Sequence, residues 1–237
     1  MSSKKENFWI PYADLMTVLL IIFLFISLAY MGLVQFQKRE QDKIFEEYKL
    51  TKENLYKELE QAFKSDFTKW NLELDKDLSI KFTNPEVLFP SGKSEITPKF
   101  QQILSEFFPK YLKVILQEKY QDKIAEIRIE GHTDNRPINE TDDAYIDNIK
   151  LSQDRSRKVL QFLRGLNYYS TLTGKQEELL RFWLTANGLS FGRTLDKNKE
   201  LTILSKQPID NERSRRVEFR LVTTSDRLVE KVIQQMQ

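Results

Sequence analysis

The sequence predicts an α/β protein in three parts: a single N-terminal transmembrane helix, a helical connector and an α/β sandwich. Three observations carry this. Residues 15–34 are a run of twenty without a charge, about 30 Å of helix at ~1.5 Å per residue and enough to cross a bilayer core. Residues 35–70 contain neither Gly nor Pro and are rich in Glu, Lys, Gln and Leu, the composition of a helix continuing into water. Beyond them, short alternating apolar–polar segments are separated by helical patterns, as expected for one sheet with helices packed on it.

The span comes first. Only Lys4 and Lys5 precede it, Glu6 offsets one of them, and no small-x-small site follows. The apolar region is also too long for a cleavable signal, so it reads as a retained anchor. Lys4 and Lys5 on one side and Lys38, Arg39 and Lys43 on the other leave its orientation undecided by charge. Asp14 is the only acidic residue in or next to this run, and an ionised carboxylate at the edge of a membrane span is costly. It is a candidate ion carrier, with Tyr12 and Thr17 close enough in sequence to hydrogen-bond it. The alternative is an acid in the first turn after Pro11, favoured by the helix dipole and reaching interfacial water.

The connector, residues 35–72, carries Ile44, Tyr48, Thr51, Leu55, Leu59 and Ala62 at steps of three and four. Such an imperfect heptad seam suits either a two-stranded coiled coil in a homodimer or a single helix packed on the next domain. The parts are thus residues 1–7 as a tail, 8–34 as the span, 35–72 as the connector and 73–237 as the globular domain.

Within that domain, Leu78, Ile80 and Phe82 alternate with polar residues and mark a strand. Asn84-Pro85 and Pro90-Ser91-Gly92 mark turns. Residues 98–120 have a helical apolar face, in which Pro109 implies a kink or break. Ile127 and Ile129 mark a second strand, residues 131–143 a polar loop, and 148–166 and 175–184 two further helices. Residues 187–211 are irregular. Residues 215–222 form a last strand, with Val217, Phe219 and Leu221 on one face and Arg216, Glu218 and Arg220 on the other. A short helix is expected from Asp226.

Several functions are excluded. The chain has 237 residues, a net charge of +2 and no Cys, so disulfides, thiolate metal sites and lipidated cysteines are absent. The balanced charge argues against general polyanion binding, and Glu218 between Arg216 and Arg220 argues against a nucleic-acid face. No nucleotide-binding loop, nucleophile elbow or zinc spacing is present, so neither enzyme, metal nor cofactor is expected. His132 is the sole histidine and reads as a support for its loop.

Three separated segments resemble one family. Residues 127–135 read IRIEGHTDN, residues 148–156 read NIKLSQDRS, and residues 211–219 read NERSRRVEF. In this order they resemble the OmpA-like peptidoglycan-binding domain over about residues 75–225. Residues 88–92, LFPSG, resemble the segment after its first strand. The resemblance implies a wall-binding site at Asp134, Asn148, Arg155 and Arg216. Asp134 would accept from the amine of a diaminopimelate stem, Arg155 would bind a carboxylate bidentately, and Asn148 would hold the ligand backbone. Ser214 stands where the family usually has Asn, and the stretch between Asp134 and Arg155 is longer than in compact members. The alternative for the Asp134 and Arg155 pair is an ordinary salt bridge.

The front end carries a second resemblance. Residues 8–17, FWIPYADLMT, are similar to the start of MotB-family ion-driven stator subunits, and within that group to the ZorB subunits of Zorya anti-phage defence systems. This implies a cytoplasmic N-terminus, a periplasmic domain in the cell envelope at the inner membrane, and a homodimer inside a ring of multi-span ZorA-like or MotA-like subunits. It also implies that Asp14 carries the ion. A flagellar stator subunit and a passive wall anchor are the competing readings; the latter has no use for Asp14.

Overall fold

The computed structural model describes residues 9–138 and 141–226, with side chains from residue 12 onward. The chain divides into two compact units, one up to Glu47 and one from Tyr48. Helix α1 (Trp9–Phe63) contributes to both. In the first unit, the apolar side chains of residues 12–36 are exposed, and the helix is long and apolar enough to cross a membrane. A helix apolar all round has no face to turn to water, so lipid or other membrane helices are its natural surroundings.

In the second unit, the end of α1 leads through α2 (Phe67–Trp70) to β1 (Leu72–Leu74) and β2 (Ser79–Phe82). Helices α3 (Pro85–Leu88), α4 (Pro98–Ile115) and α5 (Glu118–Gln121) follow, then β3 (Ile124–Gly131). Next come α6 (Ala144–Arg164), α7 (Gly174–Trp183), β4 (Leu184–Gly188), α8 (Thr202–Ser205), α9 (Asn211–Ser214) and β5 (Val217–Thr223). Among the described residues the strands form one sheet in the order β1-β2-β5-β3-β4, antiparallel except for the parallel pair β3 and β4. The expected α/β architecture is therefore present.

Two of its strands are not apparent in the sequence. β1 is three residues long, and β4 is an edge strand half-buried along its whole length, so neither shows the alternation that betrays a strand. The helix expected over 98–120 ends at Ile115 and resumes as α5, while α4 runs on through Pro109. Thr97 caps α4 by accepting from the Phe100 N–H at 3.1 Å. The helix expected from Asp226 lies outside the described residues.

The core is aromatic. Phe107 stacks on Phe63 and Tyr111 and meets Phe82 and Phe219 edge-on or tilted, with ring centroids 4.9–5.4 Å apart. Leu55, Leu59 and Phe63 from α1 are fully buried in the same cluster. Polar contacts fasten the same stretch. Lys52 pairs with Asp226 at 3.1 Å, and Glu58 accepts from Gln117 at 2.8 Å and from Tyr120 at 2.9 Å. The lower half of the proposed dimer seam is thus occupied within its own chain: Leu55 and Leu59 face the core of this domain and are not free to face a partner helix. The apolar stripe is the same in either case. The aromatic core with Phe107 and Tyr111 takes up this part of the stripe within the chain, as an intramolecular contact.

Candidate functional site

The site begins where β3 ends. Gly131 lies against α6: a Cβ there would sit 2.3 Å from the Ser152 carbonyl oxygen. Only glycine lets the helix backbone come this close. The approach brings the residues after β3 beside those of α6. Ser152 Oγ accepts from the Ser190 N–H at 3.0 Å, and the Ser190 carbonyl accepts from the Thr133 N–H at 3.0 Å. The His132 N–H donates to the Arg216 carbonyl at 3.0 Å, tying the same segment to the start of β5. Four stretches distant in sequence, at residues 131–133, 152, 190 and 216, are locked by hydrogen bonds between backbone groups and the Ser152 hydroxyl.

Beside them lies a cavity of about 400 Å³ whose lining includes Asp134, Asn148, Arg155 and Arg216, with Phe89 from the segment after α3. The structure thus brings together all four wall-site candidates, but in different states. Arg155 is buried, its guanidinium 4.9 Å above the Phe89 ring, and its Nε donates to the Lys93 carbonyl at 2.9 Å. That carbonyl is presented by a turn closed by the Lys93 N–H on the Pro90 carbonyl at 3.0 Å. Burial, and next the neighbouring charge of Arg215, pull Arg155 down to about 10 against the opposing pull of Asp134. It stays fully cationic at neutral pH.

Asp134 is buried, and its ion-pair partners are Arg136 and Arg215, each 3.4 Å from Oδ2. Neither contact has hydrogen-bond geometry, and Oδ2 receives no hydrogen bond. No direct salt bridge joins Asp134 to Arg155 among the described residues.

Asn148 donates through Nδ2 to the Arg136 carbonyl at 3.1 Å and the Ala144 carbonyl at 2.9 Å. Its amide protons therefore shape the loop that carries Arg136. That loop borders the cavity through Arg136, Pro137 and Ile138. Arg216 is the candidate that changes most. Its Nε donates to Glu218 at 2.6 Å, and its terminal nitrogens reach the carbonyls of Arg193 at 3.2 Å and Ser214 at 3.3 Å. Its guanidinium is engaged inside the protein, whereas Arg215 reaches Asp134.

Behind Arg216 lies a group that sequence spacing did not reveal. Glu130, His132 and Glu218 are buried with donor atoms within 4.8 Å of one another. Burial, then the Arg216 charge, push His132 down, so it is neutral and its 3.6 and 3.7 Å approaches to Glu130 and Glu218 are not ion pairs. Burial pushes the Glu218 carboxyl up, but the charge and hydrogen bond of Arg216, with the charge of Lys81, outweigh it and hold Glu218 at about 2. Two carboxylates facing Arg216, Arg193 and Lys81 are already balanced by cations, which is why the cluster reads as structural support.

In the first unit, Asp14 lies in the second turn of α1 or beyond, past the end favoured by the helix dipole. Tyr12, Asp14 and Thr17 are all exposed, and Thr17 Oγ1 donates to the Ala13 carbonyl at 2.8 Å instead of to Asp14. Among the described residues Asp14 has no hydrogen bond or ion pair.

The OmpA family pattern matches residues 88–179. A Zorya protein ZorB of Escherichia coli is 38% identical over 98% of this chain and 94% of its own length. The chain belongs to the ZorB family. A second Zorya protein ZorB, from another Escherichia coli strain, is 25% identical over 92% of this chain and 80% of its own. Among solved structures, a MotB-like protein of Desulfovibrio vulgaris is 22% identical, covers 73% of this chain and 94% of its own, and superposes with a TM-score of 0.47.

Sequence reasoning about this ZorB-family chain missed Phe89, Arg136 and Arg215. Phe89 sits in the quoted LFPSG segment, and Arg136 stands two residues after Asp134, so proximity in sequence was a usable signal for both. Nothing in the sequence separates Arg215 from Arg216. Their different fates follow from which side of the chain faces Glu218 at the entry to β5.

Proposed function

We propose that this ZorB-family chain is the wall-anchored subunit of an ion-driven motor in anti-phage defence, working with a multi-span ZorA-like ring subunit. The observation that carries this reading is Asp14: an acid without a partner among the described residues, at the edge of an otherwise uncharged, membrane-length stretch of α1. One such helix cannot enclose an ion path, so other membrane helices must complete it, and a second copy of this chain is the natural first partner. Each unit charge crossing the membrane releases ~2.3 kcal/mol per 100 mV. Loading and release at Asp14 would convert that energy into movement of the surrounding ring. The N-terminus is then cytoplasmic and the sheet domain periplasmic, where Asp134 and Arg155 hold a peptidoglycan stem through its amine and carboxylate.

Replacing Asp14 by Asn tests the motor. The substitution keeps the shape and removes the charge, so it should abolish phage protection while the chain still inserts and co-purifies with its multi-span neighbour. Full protection by Asp14→Asn at native expression would instead identify a passive wall anchor.

A further inference from the structure

Three guanidiniums line the cavity beside Asp134, and each faces the protein through Nε. Arg155 Nε donates to the Lys93 carbonyl at 2.9 Å. Arg215 Nε donates to the Asn211 carbonyl at 3.3 Å and lies 3.4 Å from Asp134 Oδ2. Arg136 Nε lies 3.4 Å from the same oxygen. Among the described residues the terminal nitrogen pairs of all three donate no hydrogen bond. An open terminal fork is the geometry that grips a carboxylate with two parallel bonds. Arg216 is not a fourth such group, because its donors are engaged by Glu218 and backbone carbonyls.

The charges of the lining are unequal. Arg136, Arg155 and Arg215 face Asp134 and Glu86, and Asp134 already lies within ion-pair distance of two of the three. A ligand with one carboxylate and one ammonium would occupy one fork and Asp134 Oδ2. It would leave two cations crowded in a partly desolvated space. The mutual repulsion is visible in the pull of Arg215 on Arg155. A ligand with more negative than positive groups relieves it, and a space of about 400 Å³ holds several peptide units.

We propose that Arg136 and Arg215 form a second carboxylate subsite beside Arg155, so that the cavity selects a wall peptide with one ammonium and at least two free carboxylates. Asp134 then does two things: its charge draws the Nε edges of both guanidiniums to within 3.4 Å of Oδ2, and the same oxygen, which receives no hydrogen bond, is open to accept from the ammonium. The inference rests on the wall-binding reading and adds a discrimination to it. A stem whose glutamate α-carboxylate is amidated offers the second subsite a neutral amide, which cannot make the paired charge-assisted bonds.

The test uses the full chain in detergent and two preparations of purified peptidoglycan. Both carry free diaminopimelate, and they differ only in whether the stem glutamate α-carboxylate is free or amidated. The parent should sediment with the free-acid wall at least about tenfold more tightly than with the amidated wall, the loss expected for a charge-assisted hydrogen bond. Arg136→Gln and Arg215→Gln should each lower binding to the free-acid wall alone and so reduce the preference. Arg136 is largely exposed, so its variant does not threaten the fold. Equal binding of the parent to both walls, or an undiminished preference in both variants, overturns the second subsite and leaves wall binding intact. Binding to neither wall removes the wall-binding reading and this inference with it.

Discussion

The two units differ in what they lack. In the unit up to Glu47, the distinctive group, Asp14, is exposed on a stretch of α1 whose apolar side chains, residues 12–36, no described residue covers. In the unit from Tyr48, a core is buried, the strands are paired, and a cavity is assembled from four stretches separated in sequence. The first unit exposes its apolar side chains, which suit lipid or other membrane helices; the second buries its own in a core. This separates what can be tested on the single chain from what needs the assembly.

The sharpest way to probe the contrast is to move the cut. A fragment beginning near residue 70 discards Leu55, Leu59 and Phe63, which are fully buried in the domain core. Burial of such side chains contributes about 1.5–3 kcal/mol each. Their combined loss rivals the ~5–15 kcal/mol that keeps a domain folded. A fragment from Tyr48 should show one cooperative thermal transition, and one from residue 70 should be unfolded or aggregated by circular dichroism. A stable shorter fragment would show that the second unit starts later than Tyr48.

Next in size is the buried pair behind the cavity. Arg216→Ala leaves Glu218 buried and unpaired and should cost about 3–5 kcal/mol in chemical denaturation. The sign with pH follows from Glu218. Its folded-state value of about 2 lies below the ordinary carboxylate value of 4.5. Its contribution is therefore present above about pH 4.5 and is lost as pH falls toward 2. The parent should lose stability over that window, and Arg216→Ala should lose less because the depression has gone. An unchanged acid profile in Arg216→Ala would mean that another group sets it.

Smaller effects are expected at the cavity itself. Asp134→Ala and Arg155→Ala should each weaken sedimentation with peptidoglycan by at least about tenfold. The double variant should lose less than the sum, since both residues hold one ligand. Melting temperatures should change little compared with Arg216→Ala. If both variants bind like the parent, the ligand lies elsewhere and the cavity is structural.

The smallest effect, with no expected change in activity, concerns dimer contacts. The seam read from sequence divides between the units, because Ile44 is half-buried in the first and Leu55 is fully buried in the second. In the assembled complex a single Cys at Ile44 should crosslink to its own kind, and one at Leu55 should not. Efficient crosslinking at Leu55 would mean that α1 leaves the domain core in the assembly.

Much of this was open to reading along the chain. The uncharged run of residues 15–34, the lone Asp14 and the three motif segments each depend on residues close in sequence, and local pattern is what a sequence records directly. The alternation of Val217, Phe219 and Leu221 likewise fixed which face of β5 enters the core. The seam of residues 44–62 was legible as an apolar stripe but not as to its partner, since a stripe fits any apolar surface. The tertiary structure decided that Leu55 and Leu59 enter the same buried cluster as Phe107. It also decided between two adjacent arginines of identical chemistry. Arg216 turns to Glu218 and Arg215 to Asp134 on the short link between α9 and β5. Three-dimensional packing alone says which side holds the carboxylate and which side opens on the cavity.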